Sequence, residues 1–145
     1  MTTVNVYLTF NGNCLEAFTF YKSVFGGEFP HVAHFGEMPP QEGMPPLSEA
    51  EKKLIMHISL PIGGETRLMG SDTAGEWAAN FVEGNNFSIY VGTDSKAEAD
   101  RIFRALSEGG IITTPITDTF WGDYFGMLTD SFGIAWMIGY NAENP

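Results

Sequence analysis

At 145 residues, 43% apolar and 14% aromatic, the chain is long enough to bury one sizeable core, and no run nears the ~20 apolar residues of a membrane-spanning helix. Seven basic against 18 acidic residues give a net charge of −11; with no Lys/Arg cluster, a nucleic-acid partner is excluded and an anionic membrane disfavoured. The lone cysteine, Cys14, rules out an intrachain disulfide, and without a charged-then-apolar leader pattern the expected compartment is the cytoplasm.

In chain order, Val4 to Phe10 alternates as a strand. Asn13 with Glu16 reads as a capping box, and Ala17, Phe18, Tyr21, Val24 and Phe25 form an apolar helical stripe that Gly26-Gly27 ends. Phe29 to Gly36 is a strand. Met38 to Lys53 is a Pro-rich loop with a short helix capped by Ser48 and Glu51. Leu54–Ile62 and Thr66–Ser71 make a hairpin around Gly63-Gly64.

The pattern then repeats. Asn86 to Thr93 is a strand, Ser95 with Glu98 a cap, and Ala99, Ile102, Phe103 and Leu106 a stripe stopped by Gly109-Gly110. Ile111 to Thr119 is a strand, and Tyr124–Thr129 with Ile134–Tyr140 a hairpin around the Asp130–Gly133 turn. Ser95 stands 82 residues after Asn13, and Gly109 stands 83 after Gly26. The hairpin turns are separated by only about 68 residues, because the loop 38–53 has no counterpart in the second half. The expected fold class is α+β: two βαβββ modules, about 4–71 and 86–140, joined by a connector at 72–85, in one domain with a cupped mixed sheet.

The paired module resembles the vicinal oxygen chelate superfamily of glyoxalase I, extradiol dioxygenases and bleomycin- and fosfomycin-resistance proteins. YLTFNGNCLEAFTFYKSVFGGEF near the start, FGEMP at Phe35–Pro39, LMGSD at Leu68–Asp72 and the FWGDYFGMLTDSFGIAWMI segment narrow the likeness to its PhnB-like subgroup. Members of that subgroup have carried a demethylubiquinone methyltransferase label; this sequence has no Gly-rich strand–turn–helix loop for S-adenosylmethionine, so methyl transfer is not expected. The superfamily's metalloenzymes take four His or Glu ligands from the first and last strands of each module. Carried over, those positions fall on Val6, Ser88, Met137 and, 68 residues before it, Met69. Valine, serine and two thioethers suit no hard cation or zinc, so neither a metal nor another cofactor is expected.

Strand alternation is expected to put Val6, Leu8 and Phe10 on the ligand-binding face with Met69, Ser71, Ser88, Tyr90 and Met137, and to set Trp121 and Phe125 at its rim. Trp136, one step from Met137, should face a helix. His34 and His57, on neighbouring strands, are the pair that can meet, while His31 should point away from His34. Arg67 shares parity with Met69 and can fix an anionic group. Glu37 is the best-placed lone carboxylate for general-base work, and Asp72 and Asp130 read as turn or cap residues. Three readings follow: a metal-independent binder of a small, partly apolar molecule; a lyase, isomerase or dioxygenase using a displaced metal or acid–base site; and a scaffold with a filled cleft. A homodimer is expected in each.

Overall fold

The structure, a computed structural model, describes residues 2–39, 42–43 and 45–143. The chain divides into two compact units between Val82 and Glu83, inside the predicted connector. Both are α+β with a four-stranded mixed sheet.

The first unit runs β1 (Val6–Phe10), α1 (Cys14–Phe25), β2 (His31–His34), α2 (Glu49–Lys52), β3 (Ile55–Gly63) and β4 (Thr66–Asp72). Its strand order is β1-β4-β3-β2, with β1 parallel to β4 and the other pairs antiparallel. The stripe on α1 (Cys14, Ala17, Phe18, Tyr21 and Val24) is buried with Leu8, Phe10, Ile58, Leu60 and Leu68 from the sheet. Gly70 lets this helix settle: a Cβ there would stand 2.7 Å from the Phe18 ring. Part of the loop 38–53 lies outside the described residues. Its short helix is capped as the sequence predicts, the Ser48 hydroxyl accepting from Glu51 N–H and the Glu51 carboxylate from Ser48 N–H.

Asn13 does not cap α1 with its side chain. Asp72, at the end of β4, does this instead: one carboxylate oxygen accepts from the N–H groups of Gly12 (3.0 Å) and Cys14 (2.9 Å), the other from Ile55 N–H (2.9 Å). A sequence-distant carboxylate thus ties the helix start to the β3–β4 hairpin.

The second unit runs β5 (Ile89–Gly92), α3 (Lys96–Ser107), β6 (Ile111–Asp118), β7 (Tyr124–Thr129) and β8 (Ala135–Tyr140), in the order β5-β8-β7-β6. Ala99, Ile102, Phe103 and Leu106 of α3 are buried, as are Ile89, Leu128, Trp136 and Ile138 of the sheet. Gly126 plays the part of Gly70, leaving room for the Phe103 ring, 2.7 Å from where a Cβ would stand. Trp136 is fully buried, as alternation predicts, and its indole N–H donates to Asp130. The other Asp130 oxygen accepts from Phe132 and Ile134 N–H, which closes the β7–β8 turn.

Candidate functional site

Cross-strand partners point to the same side of a sheet, so the ladder registers assign each face. In the first unit Tyr7 lies opposite Met69, Met69 opposite Ser59, and Ser59 opposite His31. One row of side chains therefore crosses all four strands on the side away from α1. In the second unit Tyr90 lies opposite Met137, Met137 opposite Met127, and Met127 opposite Thr114. The two modules thus present the same Tyr–Met pair at the same place in the ladder.

This corrects the expected face of the first strand. Val6, Leu8 and Phe10 pair with Leu68, Gly70 and Asp72, and Phe10 meets Phe18 of α1 edge to face with ring centroids 6.2 Å apart. Leu8 is only 3% exposed. The open side of β1 carries Tyr7 and Thr9, one residue out of step with the sequence alignment. Met69 and Ser71 do lie on that open side. Ser88 is half-buried just before β5 and has no ladder partner there.

On the second sheet the Tyr90 ring lies against the glycines beside it. A Cβ on Gly139 would stand 2.5 Å from the Tyr90 hydroxyl, and one on Gly92 would stand 3.5 Å from its ring. Phe125 pairs with Gly139 and so shares this face. Trp121 follows at 6.3 Å from Phe125, ring to ring, and stays 56% exposed. Its indole N–H donates to Asp123 (2.8 Å), whose other oxygen accepts from the Asn141 amide (2.6 Å). The indole is therefore held at the edge of the face rather than swinging free.

The first sheet is more polar. The Tyr7 hydroxyl lies 3.3 Å from Nδ1 of His57, with the two rings stacked at 5.7 Å. His31 approaches the same imidazole with ring centroids 5.5 Å apart. Burial, and then the neighbouring His31, hold the His57 pKa below its ordinary value. The His34–His57 pair does not form: His57 lies opposite Ala33, and after a register irregularity His34 lies opposite Ile55. Glu37 is not a poised base, because its carboxylate accepts from His34 N–H (3.0 Å) and closes a 3-10 turn at Phe35–Glu37. Cys14 is fully buried, and burial, followed by the Asp72 charge, pushes its thiol far up, away from nucleophilic use.

Each open face carries a Tyr–Met pair across its parallel strands. Tyr7 with Met69 and Tyr90 with Met137 offer phenols and thioethers, which supply no charge to a hard divalent ion or zinc. Among the described residues, no group of three or more His, Cys, Asp or Glu side chains is placed to hold a metal ion. These residues do not fit the group.

A family model described as 3-demethylubiquinone-9 3-methyltransferase matches residues 2–139. The chain belongs to this PhnB-like family of the vicinal oxygen chelate superfamily. It is 31% identical to Protein YjdN of Escherichia coli K12, over 96% of this chain and 95% of that one. Among solved structures, protein PA1353 of Pseudomonas aeruginosa is 38% identical with a TM-score of 0.80, covering 97% of this chain and 98% of that one. A Bacillus cereus PhnB protein, described as a putative 3-demethylubiquinone-9 3-methyltransferase, shares the fold at 24% identity and a TM-score of 0.75, over 96% and 99% of the two chains. The fold is that of glyoxalase and bleomycin-resistance proteins.

Two signals for the site were missed in the sequence. Tyr7 and Tyr90 stand 83 residues apart, the same offset as the glycine helix stops. Met127 follows the alternation of its strand with Phe125.

Proposed function

We propose that the chain binds a small, partly apolar molecule on the open face of its second sheet, without a metal. The observation that carries this reading is the row Tyr90–Met137–Met127, with Phe125 beside it and Trp121 anchored at the rim. Thioethers and aromatic rings adapt to ligands of varied shape and offer dispersion rather than charge. Tyr90 is 56% exposed, so its ring and hydroxyl are available to a ligand.

The reading departs from the methyl transfer in the family's description. Both strand-to-helix turns are satisfied from within: Asp72 takes the N–H groups at the start of α1, and the Ser95 hydroxyl accepts from Glu98 N–H at the start of α3. Such turns are where a cofactor's anionic or carboxylate group would otherwise be held.

Calorimetric titration with indole, a neutral aromatic probe, tests the reading. Saturable binding that falls at least about tenfold in Met137→Glu is expected, since a carboxylate between Tyr90 and Met127 must stay hydrated. Equal binding by the variant would sink it.

A further inference from the structure

We propose a second binding site, on the open face of the first sheet, for the anionic oxygens of an organic carboxylate, with Arg67, His31 and His57 as its donors. It does not depend on the reading of the second sheet.

Composition makes this face unusual for the chain. Of the residues, 18 are acidic and 7 basic. Yet the paired positions of β1, β2, β3 and β4 that face away from α1 carry no Asp or Glu. They carry the row Tyr7–Met69–Ser59–His31, with His57 and Arg67 on the same side. The carboxylate of β4, Asp72, points the other way and is consumed by three backbone N–H groups. Arg67 is exposed, and among the described residues no carboxylate pairs with its guanidinium. A −11 chain that keeps acids off the paired positions of one sheet face, and sets an arginine there, lowers the repulsion an anion meets on that face.

Ser59 is the second, independent observation. It is 4% exposed, and among the described residues its hydroxyl has no hydrogen-bond partner. A buried hydroxyl without a partner is costly, and native structures leave few of them. Its ladder partners, Met69 and His31, place it in the middle of the proposed site. An acceptor oxygen reaching between those side chains would complete it.

The hydrogen bond between Tyr7 and His57 sets what the imidazole offers. With the Tyr7 hydroxyl donating to Nδ1, the remaining ring proton sits on Nε2 and is free to donate. Burial and His31 keep His57 uncharged near neutrality. The rings that approach it are Tyr7 from β1 and His31 from β2, and neither brings a carboxylate to favour its protonation, while Arg67 lies farther along the same face, opposite Pro61. A bound carboxylate would supply that missing charge, so binding should take up a proton and tighten as the pH falls.

The experiment is an NMR titration of the untagged full chain with benzoate, followed at the imidazole C–H resonances, with benzyl alcohol as the uncharged counterpart. Benzoate is expected to shift both His31 and His57 saturably, and to raise the pH at which His57 titrates. Benzyl alcohol should leave that titration unmoved. Arg67→Met, an exposed change, should weaken benzoate about tenfold. Ser59→Ala should weaken benzoate while leaving the protein at least as stable, an outcome a purely structural serine would not give. Unshifted imidazoles, equal affinity in Arg67→Met, or equal effects of benzyl alcohol would overturn the proposal. Indole binding that depends on Met137 would survive any of those failures, so the two readings fail separately.

Discussion

The Tyr90 hydroxyl lies over Gly139, 2.5 Å from where a Cβ would stand. The glycine is thus part of the floor on which the tyrosine ring rests. Gly139→Ala should push the ring off that floor, and because the obstructing atoms are the far end of a flexible side chain, the stability cost should stay near or below about 1 kcal/mol. Indole affinity should fall severalfold. Thermal melts paired with calorimetry check both halves; a large loss of stability with unchanged affinity would contradict the geometry.

Asp72 is predicted to matter to folding, not to binding. Asp72→Ala leaves the N–H groups of Gly12, Cys14 and Ile55 without their acceptor. The Cys14 and Ile55 donors are buried and each costs about 1–3 kcal/mol when unsatisfied, so a total loss of about 2 kcal/mol or more is expected in urea unfolding. Asp72→Asn keeps one accepting oxygen and should fall between. A loss under about 1 kcal/mol in the alanine variant would show that the carboxylate is not the tie described.

Stability should carry a signature of His57. Its folded pKa is held below the ordinary 6.5 by burial and by His31, so the unfolded chain binds the proton more readily. Stability is therefore complete above about 6.5 and is lost as the pH falls through the lower, folded value. His57→Gln should flatten the melting-temperature profile below about pH 6.5. His31→Asn should flatten it only in part, since His31 is the lesser cause. An unchanged profile in His57→Gln would refute the assignment.

A homodimer is expected in solution. Among the described residues the edge strand β6 pairs only with β7; it is exposed along nearly its whole length and shows Ile111 67% and Ile112 49% exposed. Unpaired edges of this kind invite a partner. Sedimentation at micromolar concentration should give about twice the 15.9 kDa chain mass. A species of the single-chain mass would overturn this.

Much of the fold was legible because its signals are local. The α1 stripe, the Ser48–Glu51 box, the glycine stops and the Asp130 turn each depend on residues within a turn or two of one another, and the structure contains all four. The cap of α1 was not legible in this way. Its acceptor, Asp72, lies 58 residues from Cys14, and no local pattern distinguishes it from a turn aspartate. The face of β1 failed for another reason. Alternation gives two faces and does not say which one the helix covers; Val6, Leu8 and Phe10 are the apolar set and went to the helix, leaving Tyr7 outside. The same one-residue slip hid His31: the register that pairs His31 with Ser59 and Ala33 with His57 puts His31 on the His57 side, and sequence does not announce that register.

The Tyr–Met pairs of the two sheets are expected to hold no metal, and the second sheet to take an apolar ligand instead. Methionine ε-methyl NMR tests both parts at Met69, Met127 and Met137. Titration with indole should shift the Met127 and Met137 methyls saturably. Titration with Mn²⁺, whose unpaired electrons broaden nearby signals, should leave Met69 and Met137 no broader than methyls elsewhere in the chain. Selective broadening of Met69 or Met137 at micromolar Mn²⁺, or indole that leaves Met127 and Met137 unmoved, would contradict the account.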